Sequence, residues 1–210
     1  MRTLLDLVVP SECGGCRLPG TPWCAECARS VSGPPIRVYP RADPGVPCWA
    51  LSRYHGPARQ AVLAAKERHR RDLARPLGLA LAAGLAELRA PDRPLILVPS
   101  PSRRAAARRR GGDPVLRCAR IAARSLGSCQ VLPCLRVWWG VRDSAGLSAR
   151  ERDRNLRGRV SAAPLSAHAL NAQVVLVDDV LTTGATVSAC TRALVAAGTR
   201  ADGVFVTCAG

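Results

Sequence analysis

Aromatic residues are scarce, only 3% of the 210 positions. A core must therefore be assembled from Ala, Val and Leu, which the 48% hydrophobic content supplies. Lysine is nearly missing: Lys66 is the only one, and the basic character rests on arginine. Acidic residues are outnumbered 15 to 31, for a formal charge of +16. A high-GC genome accounts for Arg over Lys but not for the excess of positive charge. That excess points to a polyanionic ligand or partner, nucleic acid included. Long apolar runs are also absent. No segment would span a bilayer, and the run within residues 1–10 is broken by Asp6, too short for a signal peptide and without a small-residue cleavage site. The expectation is a cytoplasmic chain with no membrane insertion. His55, His69 and His168 show no ligand spacing. They receive no assignment.

Cysteine, by contrast, occurs ten times. In a reducing compartment these are expected as thiols or metal ligands rather than disulfides. Cys13 and Cys16 form one C-x-x-C knuckle, and Cys24 and Cys27 a second after a seven-residue gap. That spacing lets four thiolates converge on one zinc ion, and a closed four-sulfur shell makes such a site structural. A segment so short and rich in Gly and Pro has no core of its own, so the metal would hold it together. Two local disulfides or four unrelated thiols are the competing readings.

The chain is organised around residues 174–186. Val174, Val175, Leu176 and Val177 read as a strand buried on both faces. Asp178 and Asp179 close it, and a turn of small and hydroxylic residues follows: Thr182, Thr183, Gly184, Ala185 and Thr186. A helix striped by Val187, Cys190 and Leu194 comes next, ended by Gly198. A strand, a small-residue turn and a helix N-terminus make an anion site. No cation follows the glycine as in a Walker loop; two acids precede the turn instead. Carboxylates accept hydroxyl protons, so the pair suits a neutral diol on a ligand that also carries a phosphate, as in a ribose 5-phosphate. Alternate residues of a strand point to opposite faces, so both acids reach one ligand only if the strand ends there.

Residues 174–186 resemble the phosphoribosyl pyrophosphate signature of type I phosphoribosyltransferases. The resemblance implies that Asp178 and Asp179, as the catalytic pair, hold the ribose hydroxyls and that residues 182–186 wrap the 5-phosphate. Val98, Pro99, Pro101, Arg110 and Gly111 resemble a narrower group, the ComF family of competence-type phosphoribosyltransferase-like proteins. Further matches are the four-cysteine knuckle, Tyr54, Gly56, Lys66, Leu147, Ser148, Arg152 and Asn155. The chain departs from that pattern at Gly112, Asp113 and Pro114, and at Ser144. These are segments expected to touch pyrophosphate or the acceptor, so the acceptor's identity transfers least. The resemblance implies pyrophosphate bound with Mg²⁺ at Ser100, Pro101, Ser102 and Arg103, through backbone N–H groups and cations. Arg110, Arg152 and Asn155 are loop contacts on the same ground.

The remaining segments read as follows. Residues 30–48 are a Pro- and Gly-rich linker. Helices are expected from Pro57 to about Lys66, from a cap at Asp72 through Leu88, and after Asp113 and Pro114, an N-cap and N1 pair. Strands are expected at residues 95–98, 130–139 and 203–208, with a long polar loop over 140–160. On the strand at 130–139, Trp138 shares Arg136's face and is a candidate for stacking; Trp139 belongs with Leu135 and Val137 in the core. Strands alternating with helices give an α/β fold with a parallel sheet. The resemblance makes it a type I phosphoribosyltransferase-like core behind a small zinc-ribbon module. The division is residues 1–45, cysteine module and linker, and 46–210, phosphoribosyltransferase-like domain. Two functions compete: an enzyme of purine or pyrimidine salvage moving phosphoribose to a nitrogen acceptor, and a ComF-like protein acting with single-stranded DNA and DNA-uptake proteins.

Overall fold

The computed structural model describes residues 12–102, 111–138, 159–164 and 171–210. Its centre is a six-stranded, mostly parallel sheet in the order β1-β2-β8-β7-β3-β4. The strands are β1 (Ile36–Val38), β2 (Cys48–Arg53), β3 (Leu95–Pro99), β4 (Cys129–Val131), β7 (Gln173–Leu181) and β8 (Gly203–Ala209). Only β1 is antiparallel to its neighbour. A separate antiparallel pair joins β5 (Leu135–Val137) to β6 (Val160–Ala162). The helices are α1 (Ala25–Arg29), α2 (Gly56–Glu67), α3 (Ala74–Leu88), α4 (Pro114–Leu126) and α5 (Ala185–Ala196). This is the α/β architecture that alternating strands and helices imply.

The apolar runs become the middle of the sheet because both of its faces are covered. Every residue of β3 and β8 is buried. Val174 and Leu176 pack with Val187, Cys190 and Leu194 of α5. Val175 and Val177 pack on the other face with Leu81 and Leu85 of α3 and Val115 and Ala119 of α4. Burying such side chains stabilises the fold by roughly 1.5–3 kcal/mol each. The only phenylalanine, Phe205, is fully buried in this second cluster. Gly84 makes room for it, since a Cβ there would lie 2.6 Å from the Phe205 ring. Small residues thus let α3 seat one large ring in an aromatic-poor core.

Three readings change. Residues 30–48 are not a free linker: β1 pairs with β2, Ala42 N–H donates to the Thr183 carbonyl at 2.8 Å, and Thr191 Oγ1 donates to the Pro44 carbonyl. Residues 130–139 are not one strand. The chain turns after β4, and β5 pairs with β6 outside the main sheet. Asp72 does not cap α3; it pairs with Arg70 at 2.7 Å, and a 3₁₀ turn, Arg71–Leu73, leads into the helix. The cap of α4 is as expected. Asp113 Oδ1 accepts from the N–H groups of Val115 (2.9 Å) and Leu116 (3.2 Å), with Pro114 at the first turn.

No helix among the described residues is long and apolar enough to cross a membrane.

Candidate functional site

The strand order dictates where a ligand can enter. From β3 the chain runs through α4 to β4 on one side, and from β7 through α5 to β8 on the other. Both crossovers join parallel neighbours and are expected to share one hand, so α4 and α5 fall on opposite faces, as their packing shows. The gap between β3 and β7 is therefore a topological switch point, the place where open α/β sheets bind ligands. At its carboxyl end stand Ser100, just beyond β3, and Asp178 and Asp179 of β7.

Their partners differ. Asp178 shares a hydrogen bond with the buried Ser100 side chain and accepts the N–H of Asp179 at 2.8 Å. Its carboxyl is pushed up to about 7, by burial first and the neighbouring charge of Asp179 second, with Lys66 opposing. Asp179 is held by Lys66 of α2, whose Nζ lies 3.0 Å from Oδ2 and 3.1 Å from Oδ1. The strand does not end at the acids but continues to Leu181. Its regularity does break there: ladder pairs with β8 run from Val175 to Asp178 and resume at Val180. Leu176 and Leu181, five positions apart, sit in the same core cluster, which strict two-residue alternation forbids.

Next along the chain lies the turn into α5. Gly184 has φ +85, and a Cβ there would meet the Ala42 carbonyl oxygen at 2.4 Å. Only glycine suits both the left-handed backbone and the close approach. No side chain caps α5, and the N–H groups of Thr186 and Val187 make no hydrogen bond among the described residues. Thr182 and Thr186 are exposed while Gly184 and Ala185 are buried. The helix N-terminus thus offers an anion its dipole and uncommitted donors. The Ser100 turn offers less than expected. Ser100 N–H donates to the Val177 carbonyl (2.8 Å), Ser102 N–H to Asp113 Oδ2 (3.2 Å), and Pro101 has none. Among the described residues that turn presents the Ser102 hydroxyl rather than N–H groups. Arg103, Arg110, Arg152, Asn155 and Trp139 lie outside the described residues, as do Leu147, Ser148, Ser144 and His168.

The four cysteines form a second centre. The sulfur atoms of Cys13, Cys16, Cys24 and Cys27 all lie within 4.8 Å of one another. Cys16 and Cys24 are 3.6 Å apart, near the ~3.8 Å edge of a tetrahedron with metal–sulfur bonds of about 2.3 Å. Cys24 precedes α1 and accepts the N–H of Cys27 at 3.4 Å, while Cys24 N–H donates to Cys13 Sγ at the same distance. The Cys13 thiol is lowered to about 6: burial opposes ionisation, but N–H donors from Cys24, Cys16 and Gly15 outweigh it. The group can hold a metal ion such as zinc. Its module is packed on the rest: Trp23 meets Ala58, Val62 and Ala61 of α2, and a Cβ on Gly14 would lie 2.5 Å from Leu73. The other buried thiols are of a different kind. Burial pushes Cys48 to about 11 and Cys208 to about 12, the protonated, inert range.

Two contributions escape a linear reading. Lys66 stands out as the only lysine, but its tie to Asp179, 113 residues away, is visible only in the fold. The segment 39–43, against which the Gly184 turn is built, has no motif at all. No protein-family model matches the chain, and no curated protein is significantly similar to it. What the fold and the site define is an α/β protein with a mostly parallel central sheet and an N-terminal four-cysteine cluster near metal-binding distance.

Proposed function

We propose that the chain binds phosphoribosyl pyrophosphate with Mg²⁺ at the β3–β7 crevice, as a ComF-like protein with a type I phosphoribosyltransferase core and a structural zinc module. One observation carries the reading. An acid pair and an uncapped, small-residue turn into a helix stand together at the switch point of the sheet. Asp178 and Asp179 accept the ribose hydroxyls, and Thr182, Thr183, Gly184, Ala185 and Thr186 hold the 5-phosphate. The resemblance gives Ser100, Pro101, Ser102 and Arg103 to the pyrophosphate, and Arg110, Arg152 and Asn155 as loop contacts. Mg²⁺, a hard cation suited to these carboxylate and hydroxyl oxygens, would neutralise charge on departing pyrophosphate. Lys66 keeps Asp179 in place and supplies positive charge beside the ribose.

The biological role proposed is DNA uptake or nucleotide metabolism. The charge of +16 and the exposed ring of Trp138, 62% accessible, favour contact with single-stranded DNA. The alternative is a salvage phosphoribosyltransferase for a nucleobase or amine, with no DNA role. Calorimetry tests the core of the proposal. Phosphoribosyl pyrophosphate with Mg²⁺ should bind more tightly than inorganic phosphate, and Asp178→Ala or Asp179→Ala should weaken it by roughly 1–3 kcal/mol. Unchanged affinity in both variants removes the diol assignment. A low-salt titration with single-stranded DNA, read against base turnover with pyrophosphate release, decides between the two roles.

A further inference from the structure

A cavity of about 600 Å³ opens across the Thr182–Thr183 turn from the crevice, between the carboxyl ends of β2, β7 and β8 and the chain leaving β1. Neither Ser100 nor Asp178 nor Asp179 lines it. Among the described residues three arginines do, Arg37, Arg41 and Arg53, and no acidic side chain. Arg37 is already engaged: its guanidinium lies 4.7 Å from the ring centre of Trp49 and 5.6 Å from that of Tyr39. Arg41 and Arg53 are exposed and, among the described residues, their guanidinium groups make no hydrogen bond or ion pair. Cations gathered on a concave wall concentrate anions there. The volume falls in the range of small-molecule sites, roughly 300–1,000 Å³. Tyr39, 84% exposed, adds an aromatic face at the rim, and the turn adds threonine hydroxyls.

We propose that this cavity is a second binding site, for a nucleoside phosphate, with Arg41 and Arg53 on the phosphates and Tyr39 against the base. A guanidinium fork matches phosphate oxygens bidentately, so two unengaged arginines outweigh what a hydroxyl turn alone provides. A water-exposed ring backed by a cation is a stacking platform that every base can use. The site shares Thr182 and Thr183 with the turn given above to the 5-phosphate, while its arginines and Tyr39 stand apart from the acid pair. It also adjoins the Gly184 turn. Ala42, next to Arg41, hydrogen-bonds Thr183, and Pro40 and Ala42 abut Gly184.

ADP is the probe, titrated calorimetrically into the full zinc-loaded chain, an Arg41→Gln/Arg53→Gln variant and an Asp178→Asn/Asp179→Asn variant. The wild type should bind ADP, the arginine variant should bind it at least roughly tenfold more weakly, and the aspartate variant should match the wild type. Both guanidinium groups are exposed and, among the described residues, without a partner, so an unchanged melting temperature is expected in their variant. ADP bound equally by the arginine variant, lost instead from the aspartate variant, or ignored by the wild type at millimolar concentration overturns the proposal. Phosphoribosyl pyrophosphate with Mg²⁺, titrated into the same three proteins, should follow the aspartates. Its failure to bind any of them would sink the crevice reading and leave the ADP result standing.

Discussion

Replacing Asp178 with asparagine should stabilise the protein, and more so as pH rises. The Asp178 carboxyl is raised from an ordinary 3.8 to about 7 because folding buries it beside Asp179. A carboxyl with a raised folded pKa favours the folded state at low pH, where it is protonated in both states. That contribution is lost as pH climbs from the unfolded value through the folded one. Each tenfold change in proton affinity is about 1.4 kcal/mol, so the full cost of ionising Asp178 is on the order of 4 kcal/mol, reached above pH 7. Between pH 5 and pH 8 the cost grows by roughly 2–3 kcal/mol. Asparagine keeps an oxygen for the Asp179 N–H, now 2.8 Å from Asp178 Oδ1, and carries no charge. Urea denaturation of both proteins at the two pH values, with zinc present throughout, supplies a double difference that cancels other titrating groups. The variant's advantage should widen by about 2–3 kcal/mol from pH 5 to pH 8. A gap that stays constant would refute the burial of charge at Asp178.

Purified protein should carry about one metal ion per chain, as a single four-sulfur shell demands. Cys24→Ser should release it and change the near-ultraviolet dichroism of Trp23, while metal retained at full stoichiometry would contradict the cluster. Gly184→Ala should cost about 2 kcal/mol or more, combining a left-handed backbone with a Cβ 2.4 Å from the Ala42 oxygen. Gly198→Ala is the control: its φ is +79 but the space around it is open, so it should lose only the backbone share, about 1 kcal/mol. Equal losses in urea titrations would show that the contact with Ala42 carries nothing.

The sequence alone determined whatever depends on near neighbours. Apolar runs marked β3, the start of β7 and β8 because a strand buried on both faces needs no polar alternation. Asp113 and Pro114 announced α4, because a cap is made within three residues. Two knuckles at fixed spacing announced the cysteine cluster, now seen with its sulfurs within 4.8 Å. Tertiary structure decided the rest. The three-residue β1 exists because β2 supplies its partner, and nothing in residues 36–38 compels a strand. β7 runs past its acids because β8 pairs with it as far as Ala209. Asp178 and Asp179 are adjacent in sequence and identical in chemistry, yet one bonds the buried Ser100 and the other faces Lys66. Their difference comes from which strand ends beside them and which helix passes over. Burial and charge are properties of the space around a residue, and only the folded chain fixes that space.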